Sequence, residues 1–120
     1  MFTYSHLNSA CGIIATPDVT VLCDPWFTDG IYYGSWFTYP KAPIDFSVPL
    51  NVDYIFVSHI HPDHYDPTFL RNYLHNNPST KLLIADWGES SNHLRKKMHL
   101  DGFTPLCSNY LKCGSTELFL

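Results

Sequence analysis

A chain of 120 residues allows one domain with a core of its own, and a formal net charge of −4 with only 15 % charged residues provides no basic stripe for nucleic acid. No apolar run approaches the roughly 18 residues of a membrane span, and residues 1–6 lack the basic and apolar regions of a secretory leader. The expected setting is therefore soluble and cytoplasmic, with a small-molecule partner and neither nucleic acid nor membrane.

In chain order, three short strands open the sequence at Phe2–His6, Cys11–Ala15 and Val19–Cys23, with a turn at Thr16-Pro17-Asp18. They read as a β-meander. Residues 25–49 are irregular, with Pro25, Pro40, Pro43 and Pro49 among Trp26, Phe27, Tyr32, Tyr33, Trp36, Phe37 and Tyr39. So many rings in a loop form either a lid packed on the core or the wall of a pocket. A lid over the stretch that follows is the preferred reading. Trp26 and Trp36 are candidates for lining a substrate site, and plain core packing stands beside that as an equal alternative.

Ile55–Val57 reads as a short buried strand that runs into Ser58-His59-Ile60-His61-Pro62-Asp63-His64. Three histidines and a carboxylate this close together are a ligand set for zinc, iron or manganese. His59 and His61, two apart in extended chain, project to one side and can grip one ion. Asp63 and His64 follow the bend at Pro62 and can turn toward a second ion. Two such ions, roughly 3.5–4 Å apart, can clamp a hydroxide and a substrate oxygen together. His6, His75, His93 and His99 read as ordinary loop or helix residues.

Asp66-Pro67-Thr68 then has the form of a helix start, with aspartate as N-cap and proline in the first turn. The helix runs from Pro67 to Asn76, with Phe69, Leu70, Tyr73 and Leu74 on one face. Lys81–Ala85 is the next strand, expected parallel to the one before the histidines. A turn over 86–89, a helix over 90–100 and a strand at Thr104–Cys107 follow. Cys11, Cys23, Cys107 and Cys113 show no Cys-x-x-Cys spacing and read as buried or free thiols. The apolar run Glu117–Leu120 reads as a strand just begun, so the chain is expected to be one partial domain, truncated at its C-terminus.

The run Ser58-His59-Ile60-His61-Pro62-Asp63-His64 matches the H-x-H-x-D-H signature of the metallo-β-lactamase superfamily. Leu22-Cys23-Asp24-Pro25-Trp26, followed by Gly30, Gly34 and Trp36, resembles the branch of ascorbate-phosphate lactonase-like proteins and the metal domain of CMP-N-acetylneuraminate hydroxylase. The resemblance covers about residues 2–107 and implies the first half of an αββα sandwich of the α/β class. It implies two divalent ions in the complete site, zinc first, with iron or manganese as alternatives. His59 and His61 would serve one ion, and Asp63 and His64 the other. Asp63 would also orient the attacking hydroxide, with Asp24 and Asp66 supporting from behind. Later ligands of the complete family site have no counterpart here.

The function expected is a metal-dependent hydrolase of a lactone, phosphodiester or nucleotide-sugar-like substrate. The alternatives are a di-iron oxidoreductase related to the hydroxylase, or a non-catalytic interaction module. For the hydrolase, a second copy or a missing C-terminal half would have to supply the remaining histidines.

Overall fold

The computed structural model describes residues 1–41, 51–88 and 92–120. The end of the aromatic loop and the start of the second expected helix lie outside these residues. The strands are β1 (Thr3–Asn8), β2 (Cys11–Ala15), β3 (Thr20–Cys23), β4 (Tyr54–Phe56), β5 (Lys81–Ile84) and β6 (Leu106–Cys107). They form one sheet in chain order: β1, β2 and β3 pair antiparallel, and β3 through β6 pair parallel. The meander and the parallel pairing of β4 with β5 are as the sequence implied.

Register explains the core. Leu22, Ile55 and Leu82 stand side by side across β3, β4 and β5. Their row meets Phe69, Leu70 and Tyr73 of the helix Pro67–Asn76 and Leu94 and Met98 of the helix His93–Leu100 in one cluster. With the single turn Ile31–Gly34 counted as α1, these helices are α2 and α3. Burying a side chain such as Leu70, which is fully enclosed, contributes about 1.5–3 kcal/mol, so this row and the helix stripe hold the layers together.

Helix α2 begins and ends on side chains. Asp66 accepts the Phe69 amide at 3.0 Å, and Pro67 occupies the first turn. At its other end the buried Asn77 donates through Nδ2 to Tyr73 O at 3.0 Å and accepts the Asn51 amide at 3.0 Å. Asn92 caps α3 by accepting the Arg95 amide at 2.8 Å.

The C-terminal stretch is more structured than the sequence suggested. Residues Thr116–Phe119 form β8, paired antiparallel with β7 (Tyr110–Cys113) in a separate two-stranded sheet. Gly114 takes φ +59° in the turn between them. Asp18 holds that turn by accepting the Ser115 amide at 3.2 Å and its hydroxyl at 2.8 Å, with Thr116 Oγ1 3.1 Å away. Cys113 meets Tyr54, whose side chain leaves the sheet on the opposite face from Ile55. Helices therefore cover one face of the main sheet and the hairpin begins a layer on the other, which is the αββ part of a metallo-β-lactamase-like sandwich.

Candidate metal centre

Parallel strands β3, β4 and β5 point their C-terminal ends to one rim, and the histidine-rich loop leaves β4 there. Asp24 closes β3 on the same rim, with its amide donating to Phe56 O at 2.8 Å. The loop then folds on itself, with the His64 and Tyr65 amides both donating to His61 O at 2.9 Å.

Asp24 organises this loop. Its Oδ1 accepts the Ser58 amide at 2.7 Å, and its Oδ2 lies 2.7 Å from Ser58 Oγ and 2.8 Å from His64 Nδ1. An ionised carboxylate only accepts, so the Ser58 hydroxyl and the His64 Nδ1–H must donate to it. Ser58 Oγ has then spent its proton, and His59 Nδ1, 2.8 Å away, must donate to that oxygen. One carboxylate thereby places a proton on Nδ1 of both rings and turns both Nε2 atoms toward the loop's other ligand candidates. In a neutral ring, that tautomer is the ligand form of imidazole. Burial, then the neighbouring His64 and His61, push His59 below the usual histidine range, which keeps the ring neutral.

The two Nε2 atoms lie close to those candidates. His59 Nε2 lies 3.2 Å from His61 Nδ1. His64 Nε2 lies 3.4 Å from Asp63 Oδ2. A donor on that nitrogen or a cation between the two atoms would satisfy the Asp63 oxygen there. The donor set suits a divalent ion by chemistry and tautomer. Among the described residues, however, no three histidine, cysteine or acidic side chains already converge on one point.

The aromatic loop is tied to this rim. Asp66, besides capping α2, accepts the Phe27 and Thr28 amides at 3.0 and 2.9 Å and the Thr28 hydroxyl at 2.9 Å. Tyr32 Oη donates to Asp63 Oδ1 at 2.9 Å, and desolvation together with that carboxylate raises its pKa. Tyr32 and Tyr33 both adopt left-handed backbone, φ 51° and 59°. Each such non-glycine residue costs about 1–2 kcal/mol.

Trp26 is 5 % exposed and donates Nε1 to Thr28 O at 2.7 Å, so it packs beneath the loop. Trp36 is 48 % exposed, with its ring 4.6 Å from that of Tyr32 and 6.3 Å from that of Trp26. Neither borders the cavity of about 190 Å³ beside His59, whose walls include Ser58, Ile84, Trp87, Asn92 and His93. Trp87 went unremarked in the sequence. His93 reads there as an ordinary helix residue, and its nearness to His59 comes from the parallel crossing of β4 and β5. The four cysteines are free, with Cys11 buried.

A protein of Mycolicibacterium smegmatis named as a Rieske 2Fe-2S iron-sulfur protein is 38 % identical over 85 residues, which is 70 % of this chain and 15 % of that one. The cytidine monophosphate-N-acetylneuraminic acid hydroxylase of Asterias rubens is 26 % identical over 83 residues, 68 % of this chain and 13 % of its own length. This chain thus spans about a seventh of each of these relatives. Among solved structures, a mutant of the CmlA beta-hydroxylase superposes with a TM-score of 0.57 at 23 % identity, covering 97 % of this chain and 23 % of that one. A possible metal-dependent hydrolase from Veillonella parvula gives 0.57 at 21 % identity, over 95 % and 45 % of the two chains. Both likenesses speak to the fold. The residue pattern of the beta-lactamase superfamily domain matches residues 3–104, a span that takes in β1 to β5 and the whole His59–His64 loop, and the chain belongs to that superfamily.

Proposed function

We propose that this chain carries the first half of a divalent-metal centre, with His59, His61, Asp63 and His64 as ligands, in a metal-dependent hydrolase. The observation that carries the reading is the Asp24 relay: one carboxylate sets Nδ1–H on His59, through Ser58, and on His64 directly, so that each ring turns its Nε2 toward another ligand candidate, His61 and Asp63 respectively. A bound divalent ion would supply Lewis acidity and activate water there. Asp63 would orient the attacking water, and Asp24 and Asp66 would hold the ligand loop and the aromatic loop in place. Zinc is the first expectation for the ion, with iron and manganese next. The substrate class is a small polar molecule such as a lactone, phosphodiester or nucleotide sugar, and the remaining ligands would come from a second copy or a further segment.

A di-iron, oxygen-using reading is the alternative, and the hydroxylase named among the relatives favours it. Elemental analysis of the purified chain beside its His59→Ala, His61→Ala double variant tests the metal half. Stoichiometric metal in the parent and none in the variant is expected; equal content in both sinks the ligand assignment. Colourless zinc protein with turnover on a lactone or phosphodiester panel supports the hydrolase. Iron with oxygen consumption and no hydrolysis replaces it with the alternative.

A further inference from the structure

Tyr32 lies outside the histidine-rich loop, yet its Oη donates to Asp63 Oδ1 at 2.9 Å. Reaching that oxygen takes an unusual backbone, since Tyr32 and Tyr33 are consecutive left-handed residues at φ 51°, ψ 57° and φ 59°, ψ 37°. Residues bearing Cβ enter that region only where the surroundings hold them. The surroundings do so here. Ser35 Oγ donates to Tyr32 O at 2.6 Å, the Gly30 amide donates to Trp36 O at 2.8 Å to close the turn, and the Tyr32 ring rests against Trp36. Tyr33, with the same backbone, is fully exposed, so the strain serves the placement of Tyr32.

The contact constrains Asp63. A carboxylate can grip an ion through one oxygen or two. With the phenol occupying one lone pair of Oδ1, the less encumbered oxygen is Oδ2, which lies 3.4 Å from His64 Nε2. The geometry points to Tyr32 as a positioning residue that orients Asp63 to bind an ion through Oδ2, beside His64 Nε2. This inference rests on the metal reading of the loop.

Cobalt(II) is the probe, because its visible absorption reports the number and geometry of its ligands. Tyr32→Phe keeps the ring against Trp36 and removes only the donor, and Tyr33→Phe is the control. Tyr32→Phe is expected to weaken cobalt binding about 10- to 100-fold and to alter the visible spectrum, while Tyr33→Phe matches the parent. In metal-free protein, the Asp63 carboxyl ¹³C resonance should move in Tyr32→Phe and stay in Tyr33→Phe. Parental affinity and spectrum in Tyr32→Phe overturn the positioning role, and an unmoved ¹³C resonance overturns the contact itself. Should Tyr32→Phe fail to fold, 3-fluorotyrosine placed at position 32, a stronger donor on the same ring, gives the converse test: unchanged cobalt affinity overturns the inference. A parent chain that takes up no cobalt overturns the metal reading and the ion-directed role with it, whereas a displaced ¹³C resonance in that case still identifies Tyr32 as the group that holds Asp63.

Discussion

At the scale of single residues, Asp24 has the most to lose. Asp24→Asn sets an amide NH₂ against donors already aimed at Asp24, from the Ser58 amide, the Ser58 hydroxyl and His64 Nδ1. Stability should fall by about 1–3 kcal/mol in urea melts, and cobalt affinity by about tenfold or more, because the His59 and His64 tautomers are no longer fixed. A second prediction concerns the buried thiols. Desolvation pushes Cys11 up to about 12 and Cys23 up to about 11. In the unfolded chain both ionise nearer 9, so it releases protons first as pH rises. Stability from these two groups is therefore full below about pH 9 and declines between pH 9 and 12, and a pH series of thermal melts reads that decline. In the native chain at pH 8, Cys11 should resist thiol reagents that label the unfolded chain at once.

At the scale of elements, two aspartates join segments far apart in sequence. Asp66 caps α2 and holds Phe27 and Thr28. Asp66→Ala should cost about 1 kcal/mol for the cap alone and, beyond that, should loosen the aromatic loop, seen as faster amide exchange at Phe27 and Thr28. Asp18 fixes the β7–β8 turn, and its hydrogen bonds from Ser115 and Thr116 hold its pKa below the usual carboxylate value. A depressed carboxylate stabilises above its unfolded pKa of about 3.8 and loses that contribution as pH falls through the lower folded value. Hairpin amides should therefore gain exchange rate below about pH 3.8 ahead of the β3–β5 amides, and Asp18→Ala should show the same difference at neutral pH.

Much of this was legible at the element scale. Asp66-Pro67 marked the start of α2 because capping chemistry is local, and the apolar runs of β4 and β5 marked neighbouring parallel strands, whereas the parallel pairing of the meander strand β3 with β4 was not read. The hairpin strand β7 was missed although Tyr110 to Cys113 alternates polar and apolar before Gly114-Ser115, a pattern that two short partners leave faint. Tyr32 was unreadable as a partner of Asp63, since that contact depends on two left-handed residues no propensity announces.

For the whole molecule, the core row across β3, β4 and β5 sets the limit on tolerance. Ile55→Ala, at a fully buried position, should cost about 2–5 kcal/mol, a large share of the 5–15 kcal/mol typical of a domain, and denaturant midpoints would register it. The ligand loop, by contrast, is half-exposed, so His61→Ala should leave the midpoint of the metal-free chain within about 0.5 kcal/mol of the parent. The parallel strands also separate tasks in space. Asp18 precedes β3 and Asp24 ends it, so the hairpin attachment and the ligand loop sit at opposite rims of the same sheet. A four-residue strand spans about 13 Å. That distance gives the molecule a working end and a handling end: a dye or surface tether placed near Ser79 or Ser115 should report on, or immobilise, the protein without crowding whatever enters beside His59.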